Sequence, residues 1–212
     1  MNFDDFLISI SKIKNLKLPG RASQFKMSPP FRKELLKKYE DKIPNAKRAG
    51  VMALFYPNSF GETMVVLILR KTYNGVHSAQ IGFPGGKVEA NETLEMAAVR
   101  ETYEEIGVHA NDVKVIRRLT EIYIPPSNFY VQPFIGVTKR TPKFIKQDDE
   151  VEAIVEVSLK HFLDERVIIN QKVETSYSFK VNTPAFKLNG HIVWGATAMM
   201  LSEIKDMLNE IL

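Results

Sequence analysis

Three carboxylates in one short stretch, Glu101, Glu104 and Glu105, are the side chains with the clearest capacity for chemistry in this chain. Their spacing of i, i+3 and i+4 puts them on one face of a helix, where like charges repel and weaken a bare helix. Such a cluster suits a hard divalent cation, Mg²⁺ or Mn²⁺, which takes oxygen ligands and also binds substrate phosphates. A pyrophosphate carries charge on both phosphorus centres. A divalent ion neutralises that charge, polarises the P–O bond and acidifies bound water. A carboxylate not saturated by metal can then accept the proton of the attacking water. The rival reading, an exposed acidic helix, leaves the preceding Gly85-Gly86 loop and the neighbouring Arg100 without a purpose.

The elements that must position these groups can be read from hydrophobic pattern. Residues 93–106 predict a helix, and Gly107 suits the left-handed residue that closes it. Apolar runs at 50–56 and 63–69, separated by Pro57-Asn58-Ser59, predict a hairpin-like pair of strands. A second pair is expected at 112–123 and 130–137, around Pro125-Pro126-Ser127-Asn128. Further strands are expected at 151–157, 177–181 and 191–193, with helices at 158–163 and 196–212. The last helix shows Met200, Ile204, Met207, Leu208 and Ile211 as a core-facing stripe. Residues 2–15 carry Phe3, Phe6, Leu7 and Ile10 at helical spacing, and Pro29-Pro30 opens another helix over 31–39. The pattern predicts a helical extension, residues 1–48, on a main domain, residues 49–212. Mixed strands flanked by helices give the fold class, α/β or α+β.

Composition narrows the function. The chain has 212 residues, a net charge of +4 and no cysteine, so neither a disulfide framework nor thiolate chemistry is available. The acidic start, Met1-Asn2-Phe3-Asp4-Asp5, lacks the basic opening of a signal peptide, and no apolar run reaches membrane length. The cytoplasm is the expected compartment, with no membrane partner and a monomer or homodimer as the expected state. The cations from Arg32 to Arg48 alternate with Glu34, Glu40 and Asp41 and read as a solvated helix face, not a nucleic-acid site.

Position by position, residues 86–108 are similar to the Nudix box. Gly86, Glu92, Arg100, Glu101, Glu104, Glu105, Gly107 and Val108 occupy its fixed places, with Thr102 where a bulky aliphatic is usual. The resemblance implies an α/β/α sandwich with a mixed sheet and a strand-loop-helix box. It implies Mg²⁺- or Mn²⁺-dependent hydrolysis of a nucleoside diphosphate linked to another moiety. Carried over by position, it makes Glu101, Glu104, Glu105 and the backbone of Gly86 metal ligands. It places Glu101, Glu104 and Arg100 in the catalytic machinery, and joins Glu92 to Arg100 in a salt bridge between loop and helix. Gly85 and Gly107 are structural positions.

The residues upstream, Phe83-Pro84-Gly85-Gly86 with His77 and Gln80, resemble the coenzyme A pyrophosphatase branch of these enzymes. So do Leu18-Pro19-Gly20, 123–129 and Val193-Trp194-Gly195-Ala196-Thr197-Ala198. That branch implies cleavage of coenzyme A or its thioesters to 3′,5′-ADP and 4′-phosphopantetheine. Gly75 and Ala79 stand where the branch has Arg and Gly, which keeps ADP-ribose or another nucleoside diphosphate derivative open as substrate. A third reading, a non-catalytic nucleotide-sensing module, has no use for the intact carboxylates. Arg70, Lys71 and Lys87 are the cations expected near a substrate phosphate. His77, Phe83 and Phe129 are expected at the substrate, and Trp194 in core packing. Glu150, with Glu152 beside it, is expected to add a carboxylate as ligand or base.

Overall fold

The structure, a computed structural model, describes residues 1–71, 80–174 and 180–212. Its organising element is β1 (Lys47–Pro57), buried along nearly its whole length. Side chains alternate across a strand, so Ala49, Val51, Ala53 and Phe55 join one core while Met52, Leu54 and Tyr56 join another. Burial on both faces explains why this strand reads as a continuous apolar run.

On one edge β1 pairs in parallel with β7 (Phe129–Val137) from Lys47↔Phe129 to Phe55↔Val137. Its other edge is shared. β2 (Thr63–Arg70) pairs antiparallel only with its final residues, from Phe55↔Val65 to Pro57↔Thr63. The two strands then part, and residues 81–87 fill the gap: β3 (Ile81–Gly82) pairs with β2 and β4 (Gly85–Lys87) with β1. β5 (Lys114–Arg118) and β6 (Ile122–Ile124) flank β7, and β8 (Val151–Ser158) flanks β2, which completes an eight-stranded mixed sheet. A three-stranded antiparallel sheet follows, with β10 (Lys180–Leu188) between β9 (Ile168–Glu174) and β11 (His191–Val193).

Helices cover both faces of the large sheet, giving an α/β/α sandwich. Against Met52 and Leu54 lies α4 (Leu94–Ile106), capped by Thr93, whose hydroxyl accepts the Met96 N–H at 3.2 Å. Gly107 ends it in the left-handed conformation at φ 76. Close approach depends on Gly50: a Cβ there would lie 2.0 Å from the Leu94 carbonyl oxygen. On the opposite face pack α1 (Phe3–Ile10) and α6 (Gly195–Ile211). The short α2 (Arg21–Lys26) docks on α6, α3 (Arg32–Lys38) follows it, and α5 (Leu159–Leu163) leads out of β8. No helix among the described residues is long and apolar enough to cross a membrane.

Three elements differ from the pattern-based expectation. The strand expected over 112–123 is two, because Thr120 gives its N–H and hydroxyl to Glu203 of α6 (3.3 and 2.6 Å) instead of to a ladder. The expected helix over 196–212 is buried well beyond its stripe, and includes a fully buried Glu203 and a nearly buried Lys205. Lys205 closes α5 by donating to the Phe162 and Leu163 carbonyls at 3.2 and 3.0 Å. The strand expected over 177–181 starts, among the described residues, at Lys180.

Gly50→Val should therefore lower stability by about 1–3 kcal/mol, the usual range for forcing atoms into a packed contact. Thermal denaturation would show it as a depressed Tm, and an unchanged Tm would mean α4 does not need that contact.

Candidate active site

β4 and α4 meet edge-on, and the contact is polar. The Gly85 N–H donates to Oε2 of Glu105 at 2.7 Å. Arg70, at the end of β2, donates from Nη2 to the Gly85 carbonyl at 2.8 Å and sets Nη1 3.5 Å from Oε1 of Glu105. Glu105 is only 2 % exposed. Burial outweighs the opposing Arg70 charge and the Gly85 hydrogen bond, so its carboxyl is pushed up to about 7. Glu101 is also raised by burial, against the pull of Arg100. Its carboxylate lies against Gly86, where a Cβ would come within 2.2 Å of Oε1, so only glycine admits it.

The segment before β8 brings a further carboxylate. A helix leaves its last carbonyls without intrahelical partners. Ile145 and Gln147 supply N–H groups to the carbonyls of Ile106 and Glu105 at 3.1 and 3.0 Å. The Gln147 side chain then accepts the Asp149 and Glu150 N–H groups at 2.6 and 2.8 Å. The result is a cluster in which carboxylate oxygens of Glu101, Glu105 and Glu150 all lie within 4.8 Å of one another. An all-oxygen set of converging carboxylates fits a hard divalent cation such as Mg²⁺ or Mn²⁺.

Glu104 is not in that cluster. It is half exposed and accepts from Nη1 of Arg100 at 2.8 Å. Arg100 is a hub: it holds Glu92 through Nε and Nη2 at 2.9 and 3.1 Å, Glu101 at 2.9 Å and the Lys87 carbonyl at 3.1 Å. These bonds hold Glu92 below the usual carboxylate range and raise the guanidinium further. Thr102 is fully buried and gives its hydroxyl to the Ala98 carbonyl at 2.7 Å, which satisfies a polar residue at an apolar position.

Beside the cluster lies a cavity of about 390 Å³ bordered by Arg70, Gly85, Gly86 and Lys87. Phe83 and Phe129 line it, together with Trp194. Trp194 therefore stands on the cavity wall, half-buried, where the sequence pattern suggested core packing. Lys71 is not on that wall. Its amide donates to the Glu150 carbonyl at 2.8 Å and its ammonium to the Asp148 carbonyl. Glu152 is exposed on β8 and outside the carboxylate cluster. His77, Gly75 and Ala79 lie outside the described residues.

The NUDIX domain family model matches residues 46–174. Among curated proteins, Nudix hydrolase 3 of Caenorhabditis elegans is 29% identical over 164 residues, covering 70% of this chain and 68% of that protein. The peroxisomal coenzyme A diphosphatase ndx-8 of the same organism is 29% identical over 119 residues, covering 55% of this chain and 51% of its own length. Among solved structures, a MutT/nudix family protein from Enterococcus faecalis has a TM-score of 0.51 at 19% identity, covering 77% of this chain and 62% of the other, a likeness of fold.

The raised carboxyl of Glu105 has a stability consequence in metal-stripped protein. A group whose folded value exceeds its unfolded value near 4.5 contributes stability that is complete below 4.5 and lost as pH rises through about 7. Tm of the stripped protein should decline across that window, and Glu105→Gln should flatten the decline. An unaltered slope in the variant would show that Glu105 is not the group responsible.

Proposed function

The chain belongs to the NUDIX domain family, and from that premise we propose that it hydrolyses the diphosphate of coenzyme A or its thioesters to 3′,5′-ADP and 4′-phosphopantetheine. The observation that carries the reading is the juxtaposition of the carboxylate cluster with a cavity whose lining, among the described residues, holds Arg32, Arg70 and Lys87 and no Asp or Glu. A diphosphate needs both neighbours: oxygen-liganded positive charge at the anhydride, and a wall that does not repel the anion. The name of the peroxisomal relative, a coenzyme A diphosphatase, supports the choice of substrate.

In this reading Glu101, Glu105 and Glu150, with the Gly86 carbonyl, hold Mg²⁺ or Mn²⁺. When bound, the ion supplies charge neutralisation at the diphosphate and a more acidic water. Glu104 stands at the edge of this group, tethered by one oxygen to Arg100. It takes the proton of the attacking water as the new O–P bond forms and the anhydride P–O bond breaks. Arg100 keeps Glu101 and Glu104 in place against their mutual repulsion. Arg70 orients Gly85 and Glu105, and Lys87 at the cavity rim meets the departing phosphate. Phe83 and Phe129 contact the organic part of the substrate. We place the activity in the cytoplasm and treat residues 1–48 as an extension of the catalytic domain.

With Mg²⁺ or Mn²⁺, coenzyme A should give 3′,5′-ADP faster than ADP-ribose is cleaved, as read by chromatography of the products. A preference for ADP-ribose would replace the substrate but keep the hydrolase, and no cleavage of either would favour the nucleotide-sensing reading. Glu104→Gln should lower kcat by about 10²-fold or more while leaving Tm unchanged. Wild-type turnover in that variant would remove Glu104 from proton transfer. Arg100→Ala, which breaks loop and helix apart, should lose both activity and Tm.

A further inference from the structure

Two walls of the cavity come from outside residues 46–174, the region matched by the family model: the start of α6, and residues 29–35 on the N-terminal side. Pro29, Phe31, Arg32 and Leu35, in α3 and the turn before it, line the cavity, and among the described residues no Asp or Glu lines any other wall. The N-terminal wall is held by polar ties. On one side, Ser202 of α6 donates to the Ser23 carbonyl at 2.8 Å, and Gln24 of α2 donates to Glu203 at 2.9 Å and to the Thr120 carbonyl at 3.0 Å. On the other, the Arg32 guanidinium donates to the Tyr123 carbonyl in β6. Upstream, Arg117 of β5 fastens the chain through the Lys14 and Leu16 carbonyls at 2.6 and 3.0 Å.

The lining is chemically uneven. Gly85, Gly86 and Lys87 border it where it meets β4, whereas Phe31, Leu35, Phe129 and Trp194 are apolar surface, and Arg32, which also lines that wall, is engaged through its guanidinium with the Tyr123 carbonyl. A polar lining group near the start of α6 is already engaged, because Thr197 gives its hydroxyl to the Ile81 carbonyl at 3.0 Å. A ligand matching both parts has an anionic end at the box and an uncharged, apolar end away from it. A volume of about 390 Å³ is within the range of pockets that hold such an arm.

We infer that residues 29–35 are a specificity-determining wall, which receives the uncharged end of the moiety joined to the diphosphate. The inference rests on the proposed hydrolase function, and the extension thereby selects the substrate without touching the reacting atoms. Apolar contact of this kind discriminates by roughly 10-fold or more per well-packed group.

The test pairs Leu35→Glu with the wild type, using decanoyl-coenzyme A and ADP-ribose. The ratio of kcat/KM for decanoyl-coenzyme A over ADP-ribose should fall by about tenfold in the variant. Leu35→Ala, which keeps the helix propensity of α3, should shift the ratio in the same direction if Leu35→Glu does not fold. Trp194, the single tryptophan of the chain, gives a second readout that needs no turnover. Its emission should change on adding decanoyl-coenzyme A to metal-stripped protein, and the midpoint should move to higher concentration in the variants. An emission change in wild type that the variants weaken, with no cleavage of either substrate, would overturn the hydrolase reading and leave the wall standing. Cleavage with an unchanged ratio and an unmoved midpoint in the folded variants would overturn the wall.

Discussion

Three carboxylates crowded into two turns of one helix cannot be held there by helix propensity, because at these spacings they repel. Much of the molecule around α4 answers that repulsion, and each carboxylate is answered differently. Glu105 is buried against the Gly85 amide and Arg70. Glu101 fits into the space left by Gly86 and is faced by Arg100. Glu104 keeps contact with water and shares the same guanidinium. One arginine thus serves Glu92, Glu101 and Glu104 together with a backbone carbonyl, which its planar fork of donors permits and a lysine ammonium would not. The compensation is incomplete, since burial still raises Glu101 and Glu105.

The same requirement shapes the sheet. β4 can present Gly85 to Glu105 only if it lies in the plane of β1, so β1 cannot pair with β2 along its full length. The two strands separate after Phe55↔Val65, and the backbone groups exposed by the separation are recovered by β3, β4 and the Met52 N–H, which donates to the Pro84 carbonyl at 2.9 Å. Buried backbone donors and acceptors have to be paired, so the wedge of residues 81–87 is at once the repair of the sheet and the floor of the site. Small residues are required on both sides of it: Gly50 beneath α4 and Gly86 beneath Glu101.

What could be read from the sequence was whatever local spacing determines. The box helix with its cap and closing glycine, β1, β2, β7 and β8 are visible as periodicity and apolar runs, and each occurs within a few residues of the expected place. The elements that escaped notice have no such local signature. α2 is six residues long, and the residues it buries, Ser23 and Gln24, are polar. β9 alternates, yet most of its residues stay partly or fully exposed. β3 and β4 are two and three residues long and exist because β1 and β2 part. In the site, Glu150 could be named only as one acid within an acidic run. Its position beside Glu105 follows from the orphan carbonyls at the end of α4, which draw Ile145 and Gln147 onto them. The place of Trp194 at the start of a buried helix points to the core, and nothing local to the sequence reveals the cavity on its other side.

The docking of the extension follows a different logic from the rest of the core. Phe3, Phe6, Ile10 and Ile13 supply apolar burial, but burial is non-directional and would tolerate a helix that slides or rotates. The contacts that fix α2 are polar and buried: Glu203, fully inaccessible, takes hydrogen bonds from Gln24 and from the hydroxyl and amide of Thr120. A buried carboxylate without its donors costs several kcal/mol, so a displaced α2 is penalised steeply where an apolar contact would yield gradually. The network joins α2, the break between β5 and β6, and α6 at one point. Residues 29–35 follow α2 directly, and Arg32 ties them to β6. The α2 network upstream and the Arg32 bond within the segment hold Phe31 and Leu35 on the cavity wall by directional contacts, as the proposed sorting of substrates by fit requires.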